Sequence, residues 1–69
     1  MEKDIPLAVH WFTEAANRGD AYSQNVLGMC YENGWGVPRN YIQMSHWYKK
    51  AAAQGEENAI EALKRLQND

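Results

Sequence analysis

Apolar residues recur every three or four positions in four separate segments of the 69-residue chain. This spacing places them on one face of an α-helix. No segment alternates apolar and polar residues over a length sufficient for a strand. The pattern therefore predicts an all-α chain with four helices: residues 5–17, 21–33, about 40–53 and about 57–67.

The residues between these segments are typical of helix ends. Asp4, Asp20 and Asn40 each precede a predicted helix and can accept a hydrogen bond from its first free N–H groups. Gly19 and Gly55 follow the first and third helices, where a glycine can adopt the left-handed conformation that ends a helix. Turns of one or two residues make consecutive helices antiparallel neighbours.

The sequence repeats itself with a shift of 36 residues. A single shift that aligns many residues indicates a repeat architecture. The identical pairs are His10-Trp11 with His46-Trp47, Ala15-Ala16 with Ala51-Ala52, Gly19 with Gly55, and Leu27 with Leu63. The predicted organisation is one domain over residues 1–69: a partial repeat (4–19), a full repeat (20–55) and a C-terminal helix (56–69).

The residues of the full repeat carry a family resemblance. They read Ala21, Leu27-Gly28, Tyr31, Gly34-Trp35-Gly36-Val37-Pro38, Asn40, Trp47-Tyr48-Lys49-Lys50-Ala51-Ala52 and Gln54-Gly55. This string resembles a Sel1-like repeat, a helical-pair repeat related to the tetratricopeptide repeat. The resemblance implies a short right-handed α/α superhelix. Gly28 would let a neighbouring helix approach closely, while Trp11, Trp47 and Tyr31 would fill the wider gaps between helices.

The resemblance also implies a function, which is the scaffolding of a protein or peptide partner without catalysis. In related solenoids the first helix of each pair lines a concave groove with the side opposite its buried face. Tyrosine, amide and methionine side chains there suit protein binding. The candidate groove residues are Tyr22, Asn25, Met29, Glu32 and Asn33 on the second helix, and Asn58, Glu61, Arg65 and Asn68 on the fourth.

Composition and charge exclude several other roles. Seven basic against nine acidic residues give a net charge of −2, and the basic residues are scattered, which argues against nucleic-acid binding. No apolar run reaches the length of a membrane span, and the N-terminus lacks the features of a secretory signal. We expect a cytoplasmic chain, although a secreted chain that had lost its signal would have the same sequence features.

Two alternative functions stay open. A small enzyme or ligand-binding protein would use Cys30 and His46, which could approach each other across a helix pair. The spacing of His, Cys and acidic residues predicts no metal site and no cofactor. The other alternative is a structural role, in which the chain caps a longer repeat array and binds no partner of its own.

The two ends of the chain differ. The fourth helix is polar outside a narrow apolar stripe, as expected of a capping helix. The first helix carries Val9 and Phe12 outside the face that packs on the second helix, so we expect both to be exposed. An exposed apolar patch marks an interface. It would serve either a neighbouring repeat of a longer array or a homodimer through the first helix.

Overall fold

Four α-helices account for most of the chain, and their boundaries follow the predicted caps. The computed structural model describes residues 5–67, so the predicted cap Asp4 and the groove candidate Asn68 lie outside the described residues. No strand occurs between residues 5 and 67, and the predicted all-α fold is confirmed. The helices are α1 (Ile5–Asn17), α2 (Ala21–Asn33), α3 (Tyr41–Ala53) and α4 (Glu57–Gln67).

Side chains just before the helices satisfy the first free N–H groups. Asp20 Oδ2 accepts hydrogen bonds from the Ser23 backbone N–H at 2.8 Å and the Ser23 hydroxyl at 2.6 Å. Both bonds lower the pKa of Asp20, and the bond from the Ser23 hydroxyl has the larger effect. Asn40 Oδ1 accepts from the Gln43 N–H at 3.1 Å, and Glu56 Oε1 accepts from the Ala59 N–H at 3.1 Å. Each of these bonds satisfies one of the N–H groups that a helix leaves unpaired at its start.

The loop between α2 and α3 folds back over the start of α1. Its Gly36 has a φ of 74°, and a Cβ there would lie 2.8 Å from Val9 Cγ2 and 2.9 Å from Ile5 Cγ2. Glycine is therefore required both by the backbone conformation and by the close approach. Val37, next to Gly36, packs against the core. The loop thus closes one end of the helix pair.

Two apolar clusters form the core, and α2 and α3 contribute to both. Tyr31 of α2 packs against each cluster and joins them. The first consists of Val9, Ala16, Leu27, Cys30 and Trp47. The second consists of Met44, Tyr48, Ala51, Ala59 and Ala62.

α2 and α3 approach each other closely at Gly28, as the sequence predicts. A Cβ on Gly28 would lie 2.5 Å from Cδ1 of Tyr48, well inside van der Waals contact. The ring of Tyr48 therefore lies directly on the backbone of α2 and is fully buried. Replacing the glycine would force α3 away from α2.

A buried glutamine and an exposed one connect the two helix–helix turns. Gln24 is buried and donates from Nε2 to the Ala16 carbonyl at 3.1 Å. Gln54 Nε2 donates to the Gly19 carbonyl at 2.8 Å and to Gln24 Oε1 at 3.0 Å. Within the described residues, no buried side-chain nitrogen or oxygen lacks a hydrogen-bond partner. The polar core is therefore satisfied.

Two expectations about α1 are wrong. Trp11 does not fill a gap between helices; it is 61% exposed, whereas its repeat equivalent Trp47 is 8% exposed. Val9 is not exposed but lies in the first core cluster, covered by the α2–α3 loop, and Phe12 is half-buried against the same cluster. No described helix is both long and apolar enough to span a bilayer.

Candidate functional site

A groove with a volume of about 770 Å³ lies between α2 and α4. We call it the α2–α4 groove. α3 packs against both flanking helices and supplies Tyr48 to the groove surface. Its lining residues are Tyr22, Asn25, Val26, Met29, Glu32 and Asn33 of α2, Tyr48 of α3, and Asn58, Glu61, Ala62 and Arg65 of α4.

The structure brings the described groove candidates together on this one surface. Spacings of three and four residues place them on the facing sides of α2 and α4. That they bind a partner stays a prediction. Sequence reasoning missed Val26, Ala62 and Tyr48. Val26 and Ala62 follow Tyr22 and Asn58 by four residues, so the same helical spacing could have found them; Tyr48 belongs to another helix and gave no such signal.

One groove residue differs from its predicted setting. Asn25 lies at the base of the groove and is only 3% exposed, rather than solvated. Its Nδ2 group lies 3.7 Å from the Met29 sulfur and donates a weak hydrogen bond to it. Asn25 therefore contacts Met29 and contributes little exposed surface of its own.

A cluster of three polar side chains from three helices joins the two sides of the groove. Arg65 of α4 donates from both terminal nitrogens to Glu32 of α2, at 2.9 Å to Oε2 and 3.2 Å to Oε1. The Tyr48 hydroxyl of α3 donates to Glu32 Oε1 at 2.8 Å. A two-bond guanidinium–carboxylate pair fixes distance and orientation together. This cluster therefore links α2, α3 and α4 at that end of the groove.

The electrostatics of the cluster favour an ionised carboxylate. The Arg65 hydrogen bonds lower the pKa of Glu32, and the Tyr48 hydroxyl adds to this against an opposing effect of burial. Burial is the main cause that raises the pKa of the Tyr48 phenol, and the bond to Glu32 is the second. The phenol therefore stays neutral and donates a hydrogen bond to Glu32. The charged lining residues are Glu32, Glu61 and Arg65, so the groove carries one net negative charge.

The structure does not support the alternative site at Cys30 and His46. Cys30 is buried in the first core cluster, and burial raises the pKa of its thiol. A thiol with a raised pKa is a poor nucleophile at neutral pH. His46 is exposed, with its ring at 4.9 Å from that of Trp47. No group of three or more His, Cys, Asp or Glu side chains suited to a metal ion occurs among the described residues.

Paired helices that recur at a 36-residue spacing and share a groove define an α/α repeat protein. The family model for the Sel1 repeat matches residues 1–20 and 21–56. The chain therefore belongs to the Sel1 repeat family. The segment 21–56 contains α2 and α3, and the segment 1–20 contains α1.

Three curated relatives are similar to this chain over nearly the whole length of the chain. DAP3-binding cell death enhancer 1 is 48% identical over 65 residues in Rattus norvegicus and 44% identical in Mus musculus, covering 94% of this chain and 13% of each relative. Chitin synthase regulator SKT5 of Saccharomyces cerevisiae is 41% identical over 64 residues, covering 93% of this chain and 9% of that protein. The chain thus spans a small part of each relative. No solved structure matches significantly.

Proposed function

We propose that this chain is a non-enzymatic interaction module that binds a protein or peptide in the α2–α4 groove. Sel1 repeats mediate protein–protein interaction. The observation that carries the proposal is the groove itself, whose two sides are joined by Glu32, Tyr48 and Arg65. A groove whose sides are already linked is preorganised, which reduces the conformational entropy lost on binding.

The exposed side chains of the groove suit a polypeptide ligand. Tyr22 is 60% exposed at one end and offers a rigid aromatic surface with a hydroxyl. Half-buried Met29 offers a polarizable thioether that adapts to different shapes. Asn33 and Asn58 are exposed and can both donate to and accept from a peptide backbone. This mixture of one aromatic anchor and adaptable polar contacts is typical of protein-binding surfaces.

The relatives' names favour the same class of function. Two are named as DAP3-binding proteins and one as a regulator of chitin synthase. Each name describes action on another protein. For this chain we infer a protein partner of unspecified identity. The buried Cys30 argues against catalysis by its thiol.

The test compares a groove variant with a matched surface variant. Tyr22→Ala with Met29→Ala removes the anchor and the thioether of the groove. Tyr41→Ala with Ile42→Ala removes a tyrosine of nearly equal exposure, 61%, together with an exposed isoleucine, outside the groove on α3. Partners captured by the wild-type chain are identified by mass spectrometry, and the dissociation constant of each is measured by calorimetry. Circular dichroism melting checks that both variants fold.

We expect the groove variant to bind at least tenfold more weakly, and the α3 variant to bind as the wild type does. Loss of one exposed aromatic anchor from an interface costs enough for such a change. Equal binding by both variants would contradict the groove as the site. A wild-type chain that captures no partner would instead favour the purely structural role.

A further inference from the structure

One carboxylate of the α2–α4 groove is not neutralised by any described residue. Glu61 is exposed and lines the groove from α4. Between residues 5 and 67, its side chain takes part in no ion pair and in no hydrogen bond. The negative charge of Glu61 is therefore available to a ligand of the groove.

The other charged side chains of the groove lining neutralise each other. Arg65 donates two hydrogen bonds to Glu32, at 2.9 and 3.2 Å. This two-bond pair leaves the net negative charge of the lining with Glu61. An acidic ligand would have to compete with Glu32 for Arg65 and would be repelled by Glu61. A ligand with positive charge meets neither obstacle.

The surroundings of Glu61 suit a long cationic side chain. The adjacent Ala62 lines the groove, and Val26 and Met29 line it from α2. The exposed ring of Tyr22 also belongs to the lining. Lysine and arginine place their aliphatic stems on apolar surface and keep their charge near water, and the face of an aromatic ring attracts a cation. The groove thus combines apolar surface, an aromatic ring and a carboxylate.

We propose that the polypeptide segment bound in this groove carries a lysine or arginine whose cation pairs with Glu61. The aliphatic stem of that residue lies on Val26 and Met29, beside the ring of Tyr22. This inference rests on the proposed function and specifies the chemistry of the partner. The partner is a basic segment of another protein, which the net negative charge of the groove attracts.

The probe is a display library of random linear peptides, selected on the immobilised full chain. The same selection is run on Glu61→Gln, which removes the charge, and on Glu61→Lys, which reverses it. Glu57→Gln and Glu57→Lys are the matched controls, because Glu57 is an exposed carboxylate of α4 that does not line the groove. The double variant Tyr22→Ala with Met29→Ala tests whether the selected peptides occupy the groove. Circular dichroism melting verifies that every variant folds.

We expect the wild type and both Glu57 variants to select peptides with lysine or arginine at a shared position. Glu61→Lys should not select that residue. For a selected peptide made synthetically, Glu61→Gln should raise the dissociation constant about two- to fivefold, the range of an exposed ion pair, and Glu61→Lys should raise it further. Added sodium chloride should weaken binding to the wild type more than binding to Glu61→Gln, because salt screens the pair.

Four results would contradict the proposal. Peptides that need Tyr22 and Met29 but share no cation would refute it and leave the proposed function standing. An enriched aspartate or glutamate would do the same and would indicate an acidic segment held by Arg65. Peptides that bind the Tyr22→Ala, Met29→Ala double variant equally well, or a selection that yields no peptides, would refute both the proposal and the proposed function. A dimer in sedimentation that Glu61→Lys dissociates would identify a second copy as the occupant.

Discussion

α1 and α3 carry the same His-Trp and Ala-Ala pairs at a spacing of 36 residues, yet α1 buries two residues and α3 buries four. Trp47 is 8% exposed and Trp11 is 61% exposed. The difference lies in the neighbouring helices, because α3 packs between α2 and α4 whereas α1 packs on α2 alone among the described helices. In a repeat fold, burial of a residue is therefore set by the adjacent repeat as much as by its own sequence.

α2 and α4, which occupy equivalent positions in the repeat, differ as well. α2 presents Gly28 to the Tyr48 ring, whereas α4 has Lys64 at the equivalent position. Lys64 and Arg65 lie in the last turn of α4, where the negative end of the helix dipole favours positive charge. The chain thus has an apolar face at α1 and a charged face at α4.

The largest expected effect separates the two equivalent tryptophans. Trp47→Ala should cost about 3–5 kcal/mol, because it leaves a cavity in the first core cluster. A domain of this size has roughly 5 kcal/mol of stability, so the variant should keep no more than about 2 kcal/mol and melt at a much lower temperature. Trp11→Ala should change the free energy of unfolding by less than about 1 kcal/mol.

Urea denaturation followed by far-ultraviolet circular dichroism measures both tryptophan variants without relying on tryptophan fluorescence. Similar losses in the two variants would mean that a neighbour covers Trp11 in solution. A concentration dependence of the Trp11→Ala effect would then identify that neighbour as a second copy.

A smaller effect separates Gly28 from Lys64. Gly28→Ala should destabilise the chain by about 1–3 kcal/mol, because the new Cβ would lie 2.5 Å from a fully buried ring. Helix propensity alone predicts the opposite sign, since alanine is favoured over glycine by about 1 kcal/mol. Lys64→Ala, at the equivalent exposed position of α4, is the control and should be nearly neutral. A Gly28→Ala variant with raised stability would contradict the close α2–α3 packing.

The helix boundaries are predictable from this sequence because the caps are local. Asp20 and Asn40 each bond to an N–H only three residues away, so the signal and its effect lie within one turn. The sides of the α2–α4 groove are predictable for the same reason, since helical spacing determines which residues share a face. Gly28 is a further success, because a glycine within a helix indicates that another element comes close.

The features that could not be predicted depend on neighbours that are distant in the sequence. Glu32 and Arg65 are separated by 33 residues, and their pairing depends on how α3 spaces α2 from α4. The burial of Val9 depends on the loop that contains Gly36. The prediction that Trp11 is buried is wrong because a repeat alignment shows which residues are equivalent. It does not show whether a neighbouring helix covers each of them.

The smallest expected effect concerns the hydroxyl oxygen by which Tyr48 differs from its repeat equivalent, Phe12. Tyr48→Phe gives α3 the residue that α1 has at Phe12, and it removes the hydrogen bond from the hydroxyl to Glu32. The loss of stability at neutral pH should be about 0.5–1.5 kcal/mol. Tyr41→Phe removes an exposed hydroxyl from the same helix and is the matched control.

This difference should depend on pH in a defined direction. The pKa of Glu32 is lowered in the folded chain, first by Arg65 and further by Tyr48, so its carboxylate stabilises the fold above the unfolded pKa of about 4.3. That contribution is lost as the pH falls through the folded pKa. Melting temperatures of wild type and Tyr48→Phe should therefore differ most above about pH 5 and converge in stronger acid. A gap that stays constant with pH would show that the Tyr48 hydroxyl does not act through the Glu32 carboxylate.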